Sequence, residues 1–203
     1  ISRGLVGSEM CIRDSDKVDY SNLHRQTLYD YNDVGKYKSD VIKKKIKLIN
    51  DKIKLKIFKE RAKDKNLGKI LPKFDIIVDG TDNFPTKFLL NKYSLKYKKK
   101  LVIGAISKFD GHIFSFDFSQ KKIPCLNCFY QGMPSDEILN CEAEGILGPT
   151  ANVIGALQAN EVLKIILGLN GIIKNNILIV DLLNLTSRKV NFKKRKNCLC
   201  KKF

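Results

Sequence analysis

Residues 74–83 read FDIIVDGTDN, and this stretch decides the fold class of the chain. A short run from Phe74 to Val78, apolar except for Asp75, is closed at once by Asp79 and Gly80. Such a run is typical of a parallel strand that is buried on both faces. The polar residues after it stand at the carboxyl end of that strand, where ligands bind in open α/β sheets. The stretch therefore predicts a Rossmann-like sheet with a ligand-binding edge.

The sequence on both sides of this strand predicts alternating helices and strands. Residues 32–50 have the apolar spacing of an amphipathic helix, and the alternation over 53–57 predicts a strand. We expect an α/β fold with a mostly parallel sheet, helices on both faces, and antiparallel strands in the C-terminal half. The later elements are a helix over 85–97, a buried strand over 101–106, a half-exposed antiparallel strand over 111–118, a long helix over 149–169, and closing strands over 177–183 and 188–192.

Residues 1–15 differ from the rest of the chain. They contain no Lys, they mix Gly, Ser and Arg without a period, and nothing in them looks like a strand. They are either part of the protein or an extraneous segment, such as a tag, a translated adaptor or a misassembled end. We therefore exclude them from the fold prediction and assign the domain to residues 16–203.

Composition limits the class of protein. The chain has 203 residues, of which 43% are hydrophobic, so it can bury a core, and no stretch reaches the roughly 18 apolar residues of a membrane span. The 38 Lys and Arg against 21 Asp and Glu give a net charge of +17. These lysines do not cluster with aromatic residues, so we expect neither a nucleic-acid partner nor a membrane. Paired cysteines without a signal sequence indicate a cytoplasmic protein with a metal site.

Two polar segments carry the chemistry. Residues 21–26, SNLHRQ, supply a hydroxyl, two amides and a guanidinium, and Lys38 follows at the start of the next helix. Arg forks and Lys point charges fit the phosphates of a nucleotide. Asp82 follows the buried strand and is a natural Mg²⁺ ligand beside such phosphates. Each of these side chains alone is consistent with a helix cap or a surface ion pair, but together they predict a nucleotide site.

Several motifs in order and in register resemble one family. They are DKVDYSNLHRQ at 16–26, VGKYK at 34–38, VDGTDN at 78–83, PCLNC at 124–128 and CEAEGILGPTANVIGALQANEVLKIILG at 141–168. From about Asp16 to Cys200 the sequence is similar to the ThiF/MoeB/HesA family of the ubiquitin-activating-enzyme superfamily. The resemblance implies adenylation, with MgATP, of the C-terminal Gly-Gly of a ubiquitin-like sulfur-carrier protein, for thiamine or molybdopterin synthesis. It also implies a homodimer.

The resemblance also assigns roles to residues of the nucleotide site. It implies that Asn22 and Arg25 contact the phosphates, that Lys38 neutralises charge on the triphosphate, and that Asp82 holds Mg²⁺. The acid that binds the ribose falls on Asp14, inside the excluded segment. His24 and His112 are expected to be structural.

The cysteines predict a structural zinc site. Cys125 and Cys128 have the C-x₂-C spacing of a zinc half-site. The resemblance implies a second pair downstream, which here is Cys198 and Cys200, one residue closer together than the family's C-x₂-C. Cys141 matches a cysteine that in similar proteins forms a covalent link with the carrier, although the neighbouring carboxylates raise the pKa of a thiol and a buried free cysteine is the simpler interpretation.

One expected motif is missing. The family's Gly-rich ATP loop lies one helix and one strand before the acid matched by Asp14, and only 13 residues precede that position. We expect an N-terminally truncated adenylation domain that binds ATP poorly alone. Two alternatives stay open: a non-catalytic module that binds the carrier, and an adenylating enzyme for another acceptor such as a tRNA or a peptide.

Overall fold

The computed structural model describes residues 9–134, 145–198 and 200. These residues form two compact units, one ending at Ala62 and the other beginning at Lys63.

The first unit is a pair of parallel strands with one helix. Strands β1 (Glu9–Arg13) and β2 (Lys54–Phe58) pair in parallel, and helix α1 (Lys38–Ile49) lies between them in the chain. Parallel neighbours need such a crossover connection. The helix confirms the prediction for 32–50, although the first third of that predicted range forms turns and is not helical. The expectation that residues 1–15 contain no strand is wrong, because β1 is short and polar at its start and so leaves no clear pattern.

The second unit is built on a five-stranded sheet with the order β3-β4-β5-β6-β7. Only β3 and β4 are parallel, whereas the three later pairings are antiparallel. The α/β class and the antiparallel C-terminal half are confirmed, while the parallel part is smaller than expected. The strands are β3 (Ile76–Asp79), β4 (Lys100–Ser107), β5 (Asp110–Asp117), β6 (Asn176–Asp181) and β7 (Thr186–Asn191).

Helices cover both faces of the central strands. One face packs on α5 (Gly148–Leu167), through a core that includes Val102, Ile113 and Ile154. The other face packs on α3 (Phe84–Lys96) and α4 (Leu126–Tyr130), and aromatic rings of β5 contact those of α4. The remaining helix is α2 (Asp64–Ile70).

Strand β5 is more buried than the sequence predicted. Ile113 on one face and Phe114 on the other are 0% and 1% exposed. The half-exposed assignment is therefore wrong. The cause is α4, whose Phe129 and Tyr130 cover the second face. This helix has five residues, too few to show a periodic pattern in the sequence.

Two glycines let α5 lie close to the sheet. A Cβ at Gly111 would stand 2.1 Å from Ile154 Cδ1, and a Cβ at Gly104 would stand 2.8 Å from Gln158 Oε1. Both distances are far below van der Waals contact, so the helix occupies the space that side chains on these strands would fill. None of the described helices, α5 included, is long and apolar enough to cross a membrane.

Gly111→Ala should destabilise the protein by about 1–3 kcal/mol, because the new methyl group must push Ile154 out of the core. The matched control is Gly155→Ala inside α5, where the added Cβ meets nothing within 4 Å. That change should stabilise by about 0.5–1 kcal/mol, since a helix-interior glycine costs backbone entropy. Urea unfolding measures both, and equal effects at the two positions would contradict the close packing.

Candidate functional site

A capped turn presents the predicted phosphate ligands. Asp19 caps the 3₁₀ turn Tyr20–Asn22, because its Oδ1 accepts from the Ser21 amide at 2.8 Å and from the Ser21 hydroxyl at 2.6 Å. The hydrogen bonds from Ser21 lower the pKa of Asp19, so its carboxylate stays charged as a cap. The turn therefore holds the backbone that carries Asn22.

Asn22 orients the guanidinium of Arg25. Arg25 Nη2 donates to Asn22 Oδ1, and Nη1 donates to the Ser21 carbonyl at 3.5 Å and lies 3.3 Å from His24 Nε2. The structure thus brings two predicted ligands together as a preset pair. The carbonyl of Ser21 also lies 2.8 Å from His24 Nδ1, which ties that ring to the turn.

Lys38 stands at the first position of α1, where a cation opposes the helix dipole. Its amide donates to the Asp16 carbonyl at 2.9 Å, and its Nζ lies 3.7 Å from Asp16 Oδ2. The Lys38 side chain is only 12% exposed, whereas that of Asp16 is 58% exposed. The helix dipole disfavours a lysine at this position. A bound anion beside the helix N-terminus would make the lysine favourable. The partner Asp16 was not identified from the sequence.

Asp14 lies at the carboxyl end of β1. Its amide donates to the Phe58 carbonyl at 3.1 Å, and its Oδ1 accepts from the Asp16 amide at 2.8 Å. Burial first, and then the negative charges of Asp14 and Asp33, raise the pKa of Tyr29 to about 12. Asp14 therefore belongs to the same folded loop as Lys38, at the strand end where α/β sheets bind ligands.

Asp82 lies in the second unit, between the end of β3 and the start of α3. The next residue, Asn83, caps α3 by accepting from the Thr86 amide at 2.9 Å. Asn83 Nδ2 also donates to Asp82 Oδ1 at 3.3 Å, and the Asp82 side chain is exposed. A carboxylate in this position is favoured by the helix dipole and open to a cation.

The four predicted zinc ligands form one cluster. Their Sγ atoms all lie within 4.8 Å of one another, and the closest pairs are 3.6–3.8 Å apart. Tetrahedral coordination at the usual Zn–S length of about 2.3 Å places sulfurs about 3.8 Å apart. The distances fit zinc, and the shorter C-x-C spacing does not prevent closure. The cluster consists of Cys125, Cys128, Cys198 and Cys200.

Electrostatics explain why this cluster suits a cation. Burial, followed by the charges of the neighbouring cysteines, raises the pKa of Cys125 far above that of a free thiol, and burial raises the pKa of Cys200 to about 12. A divalent cation offsets the charge of the thiolates and deprotonates them. Four sulfur ligands favour zinc and leave no open coordination position, as in structural sites.

Asn91 supports the cluster from α3, and the sequence did not predict this role. Asn91 is buried; its Oδ1 accepts from the Leu126 amide at 3.1 Å, and its Nδ2 donates to Asn127 Oδ1 at 3.0 Å. These bonds hold the segment between Cys125 and Cys128. The sequence gives no signal for this role, because the buried face of α3 also contains Lys87 and Ser94.

Cys141 lies outside the described residues, so its predicted covalent role stays a prediction. The roles of the other site residues toward ligands also stay predictions. What the structure adds is their local setting: a capped turn with Arg25 and a helix start with Lys38 in the first unit, and an exposed carboxylate and a cysteine cluster in the second.

Comparison with known proteins identifies the family. A sequence profile described as the ThiF family matches residues 6–202, nearly the whole chain. The chain belongs to the ThiF family. The match begins inside the segment that the fold prediction excluded.

Curated relatives of this ThiF-family chain are named adenylyltransferases. A probable molybdopterin-synthase adenylyltransferase of Gracilaria tenuistipitata var. liui is 34% identical over 186 residues, which are 92% of this chain and 52% of the relative. A sulfur carrier protein adenylyltransferase of Thermus thermophilus is 34% identical over 187 residues, which are 90% and 69%. An adenylyltransferase and sulfurtransferase MOCS3 of Culex quinquefasciatus is 37% identical over 171 residues, which are 84% of this chain and 39% of the relative. The chain spans about half the length of the curated relatives it matches.

Solved structures share the fold. MccB of E. coli, solved with AMPCPP and selenomethionine MccA, superposes with a TM-score of 0.78 at 22% identity, over 95% of this chain and 59% of that one. The same protein solved with ATP gives 0.76 at 24%, with the same coverage. At these identities the likeness concerns the fold.

The purified protein should carry one zinc ion, and Cys198→Ser should lower its zinc affinity by at least about 100-fold, the upper limit for losing only a second-shell partner. Atomic emission and competition with a chromophoric chelator measure this. The matched control is Cys11→Ser, which changes a cysteine outside the cluster and should leave zinc unchanged. Equal zinc affinity in the two variants would show that the cluster does not bind the metal.

Proposed function

We propose that this chain is the adenylation domain of an enzyme that activates the C-terminal Gly-Gly carboxylate of a ubiquitin-like sulfur-carrier protein with ATP. The observation that carries the proposal is the position of two cations: Arg25 is oriented by Asn22, and Lys38 is held at a helix N-terminus where it opposes the dipole. Two relatives named for molybdopterin synthase and for a sulfur carrier support the choice of acceptor.

The reaction needs positioning and charge stabilisation but no protein nucleophile. A carboxylate oxygen of the carrier attacks the α-phosphorus, the bond to the bridging oxygen breaks, and pyrophosphate leaves with that electron pair. No proton is transferred. Negative charge grows on the phosphate oxygens, where Arg25 and Lys38 would bind it, and Asn22 would keep the guanidinium aligned. Preset donors act strongly because they need no reorganisation during the reaction.

The acidic residues would bind the rest of the substrate. Asp82 is an exposed carboxylate suited to Mg²⁺, which neutralises phosphate charge when it is bound. Asp14, at the end of β1, would accept hydrogen bonds from the ribose hydroxyls. The Cys141 thiol would attack the carbonyl carbon of the acyl-adenylate and form a thioester with the carrier, while AMP leaves and the thiol proton passes to solvent. The zinc site would be structural and would take no part in the chemistry.

The cellular setting follows from the same residues. A cluster of four cysteine thiols suits a reducing compartment, so we place the protein in the cytoplasm. The names of the relatives favour molybdopterin synthesis, and the alternative of thiamine synthesis is tested by the choice of carrier.

A homodimer is proposed from the outward face of α5. Helical spacing places Leu163, Ile166 and Leu167 opposite the core, and each is more than a third exposed. Leu163→Glu should shift the protein from dimer to monomer in sedimentation velocity, with native circular dichroism, because a charge in an apolar interface is costly. The control Lys43→Glu, on the exposed side of α1, should leave the dimer intact. A wild-type chain that sediments as a monomer would contradict the proposal.

The decisive test of the activity is ATP–pyrophosphate exchange that depends on a carrier, measured on the full reading frame that contains this chain. Arg25→Ala and Lys38→Ala should each lower exchange by about 10²–10³-fold, as expected for the loss of one preset charge-stabilising donor. The matched control is Lys43→Ala, an exposed lysine on the same helix as Lys38, which should retain full exchange.

The carrier in the assay decides between the alternatives. Exchange with a molybdopterin-type or a thiamine-type carrier names the pathway, and exchange only with a tRNA or a peptide names another acceptor. A full-length protein that binds a carrier tightly but gives no exchange would be a non-catalytic binding module, which would refute the proposed activity.

A further inference from the structure

A buried ion pair lies at the carboxyl end of β3. Asp79 and Lys87 have side chains that are 0% and 2% exposed, and Lys87 Nζ lies 3.4 Å from Asp79 Oδ2. The same Nζ donates to the Gly104 carbonyl at 2.8 Å. A buried ion pair contributes little net stability, because desolvation opposes the attraction. Stability therefore does not explain why a buried ion pair lies at this position.

The pair fixes the residue before Asp82. The carboxylate of Asp79 accepts from the Thr81 amide at 2.9 Å and from the Thr81 hydroxyl at 2.8 Å, both through Oδ1. Its other oxygen is the one that faces Lys87. Asp79 thus joins the buried lysine to the turn that follows β3.

Gln158 holds the same strand end from the opposite face of the sheet. Its Nε2 donates to the Asp79 carbonyl at 2.8 Å and to the Val102 carbonyl at 3.1 Å. Gly104 leaves the space that this side chain needs, as its missing Cβ would stand 2.8 Å from Gln158 Oε1. Lys87 on α3 and Gln158 on α5 therefore hold the end of β3 from both sides. We call Asp79, Lys87 and Gln158 the β3 anchor.

The β3 anchor leaves Asp82 as the exposed carboxylate of a fixed turn. Thr81 before it is bound to Asp79, and Asn83 after it is bound to the first turn of α3. The side chain of Asp82 itself points to solvent. Both chain neighbours of the carboxylate are thus held while its oxygens stay accessible, which is the arrangement of a preorganised ligand for a cation.

We propose that the β3 anchor positions Asp82 to bind a divalent cation on the phosphates of a nucleotide. Lys87, Asp79 and Gln158 are positioning residues, which act on the cation through Thr81 and Asp82 and do not contact it. The inference rests on the proposed function, because it assumes that Asp82 meets a metal–nucleotide complex. It adds a support for the metal ligand that the sequence did not show.

The test compares two double variants that remove both buried charges, so that neither leaves an unpaired ion. Asp79→Asn/Lys87→Met keeps an acceptor for Thr81, whereas Asp79→Leu/Lys87→Met removes it. Circular dichroism and urea unfolding confirm that each variant is folded. The matched control is Lys92→Met on the same helix, which breaks an ion pair with Asp64 whose lysine side chain is 52% exposed.

Two quantities are measured. The first is hydrogen exchange at the Thr81 amide, and the second is the affinity for Mn²⁺–ATP, which water-proton relaxation reports. Asp79→Leu/Lys87→Met should speed Thr81 exchange and weaken Mn²⁺–ATP binding by about 10–100-fold, as expected for lost support of a metal ligand. Asp79→Asn/Lys87→Met should show a smaller loss. Binding of ATP in EDTA should stay unchanged in both, which a general loss of structure would not allow, and Lys92→Met should behave as wild type.

Asp82→Asn completes the experiment. It should weaken Mn²⁺–ATP binding without changing Thr81 exchange. The variant that adds it to Asp79→Leu/Lys87→Met should bind Mn²⁺–ATP no more weakly than Asp82→Asn alone, because the anchor acts only through that ligand. Additive losses, or unchanged Mn²⁺–ATP affinity in a folded anchor variant, would overturn the inference. If Mn²⁺–ATP binding follows these expectations but the protein shows no pyrophosphate exchange, only the proposed function is refuted. If the full-length protein binds no Mn²⁺–ATP, both the proposed function and this inference are refuted.

Discussion

The close approach of α5 to β4 and β5 is the constraint on which the second unit depends. Gly104 and Gly111 make the approach possible, and it removes the middle of the sheet from water. Every polar group that enters this region must then find a partner within the protein. Lys87, Gln158 and Glu161 all do, and Glu161 accepts from the Ile173 amide at 2.7 Å. Tight packing thus requires the hydrogen bonds that the polar groups at the end of β3 make with one another.

The charge of the chain separates into two kinds of lysine. Most of the 38 basic residues lie on exposed surface, where their interactions are screened by water and salt and indicate no partner. Lys38 and Lys87 differ, because each is largely shielded from solvent and faces a specific carboxylate. A shielded cation remains electrostatically strong, and the net charge of +17 does not reveal these two positions.

Local signals in the sequence predicted much of the fold and part of the site. The strand at 74–78 and the helix at 149–169 were predicted from their apolar residues, and both elements are present. The expectation that this strand is buried on both faces is wrong, because β3 is an edge strand of the described sheet and Val78 is 52% exposed. The C-x₂-C half-site follows from ligand spacing. Asn91 and Lys87 could not be predicted in the same way, because their partners lie 8 to 36 positions away and are brought near only by the fold. Strand β1 was not predicted, because a strand of five residues that begins with a polar residue shows no clear alternation of apolar and polar positions.

The cysteine cluster also has a topological consequence. Cys125 and Cys198 are 73 positions apart, so a bound metal would close most of the C-terminal third of the chain into a ring. By analogy with disulfides, closing a ring of that length restricts the unfolded chain by roughly 4 kcal/mol. Strand β7 lies within this ring at the edge of the sheet, and nearly all of its side chains are exposed. Such a strand buries too little to hold itself in place, and ring closure would keep it from peeling away from β6.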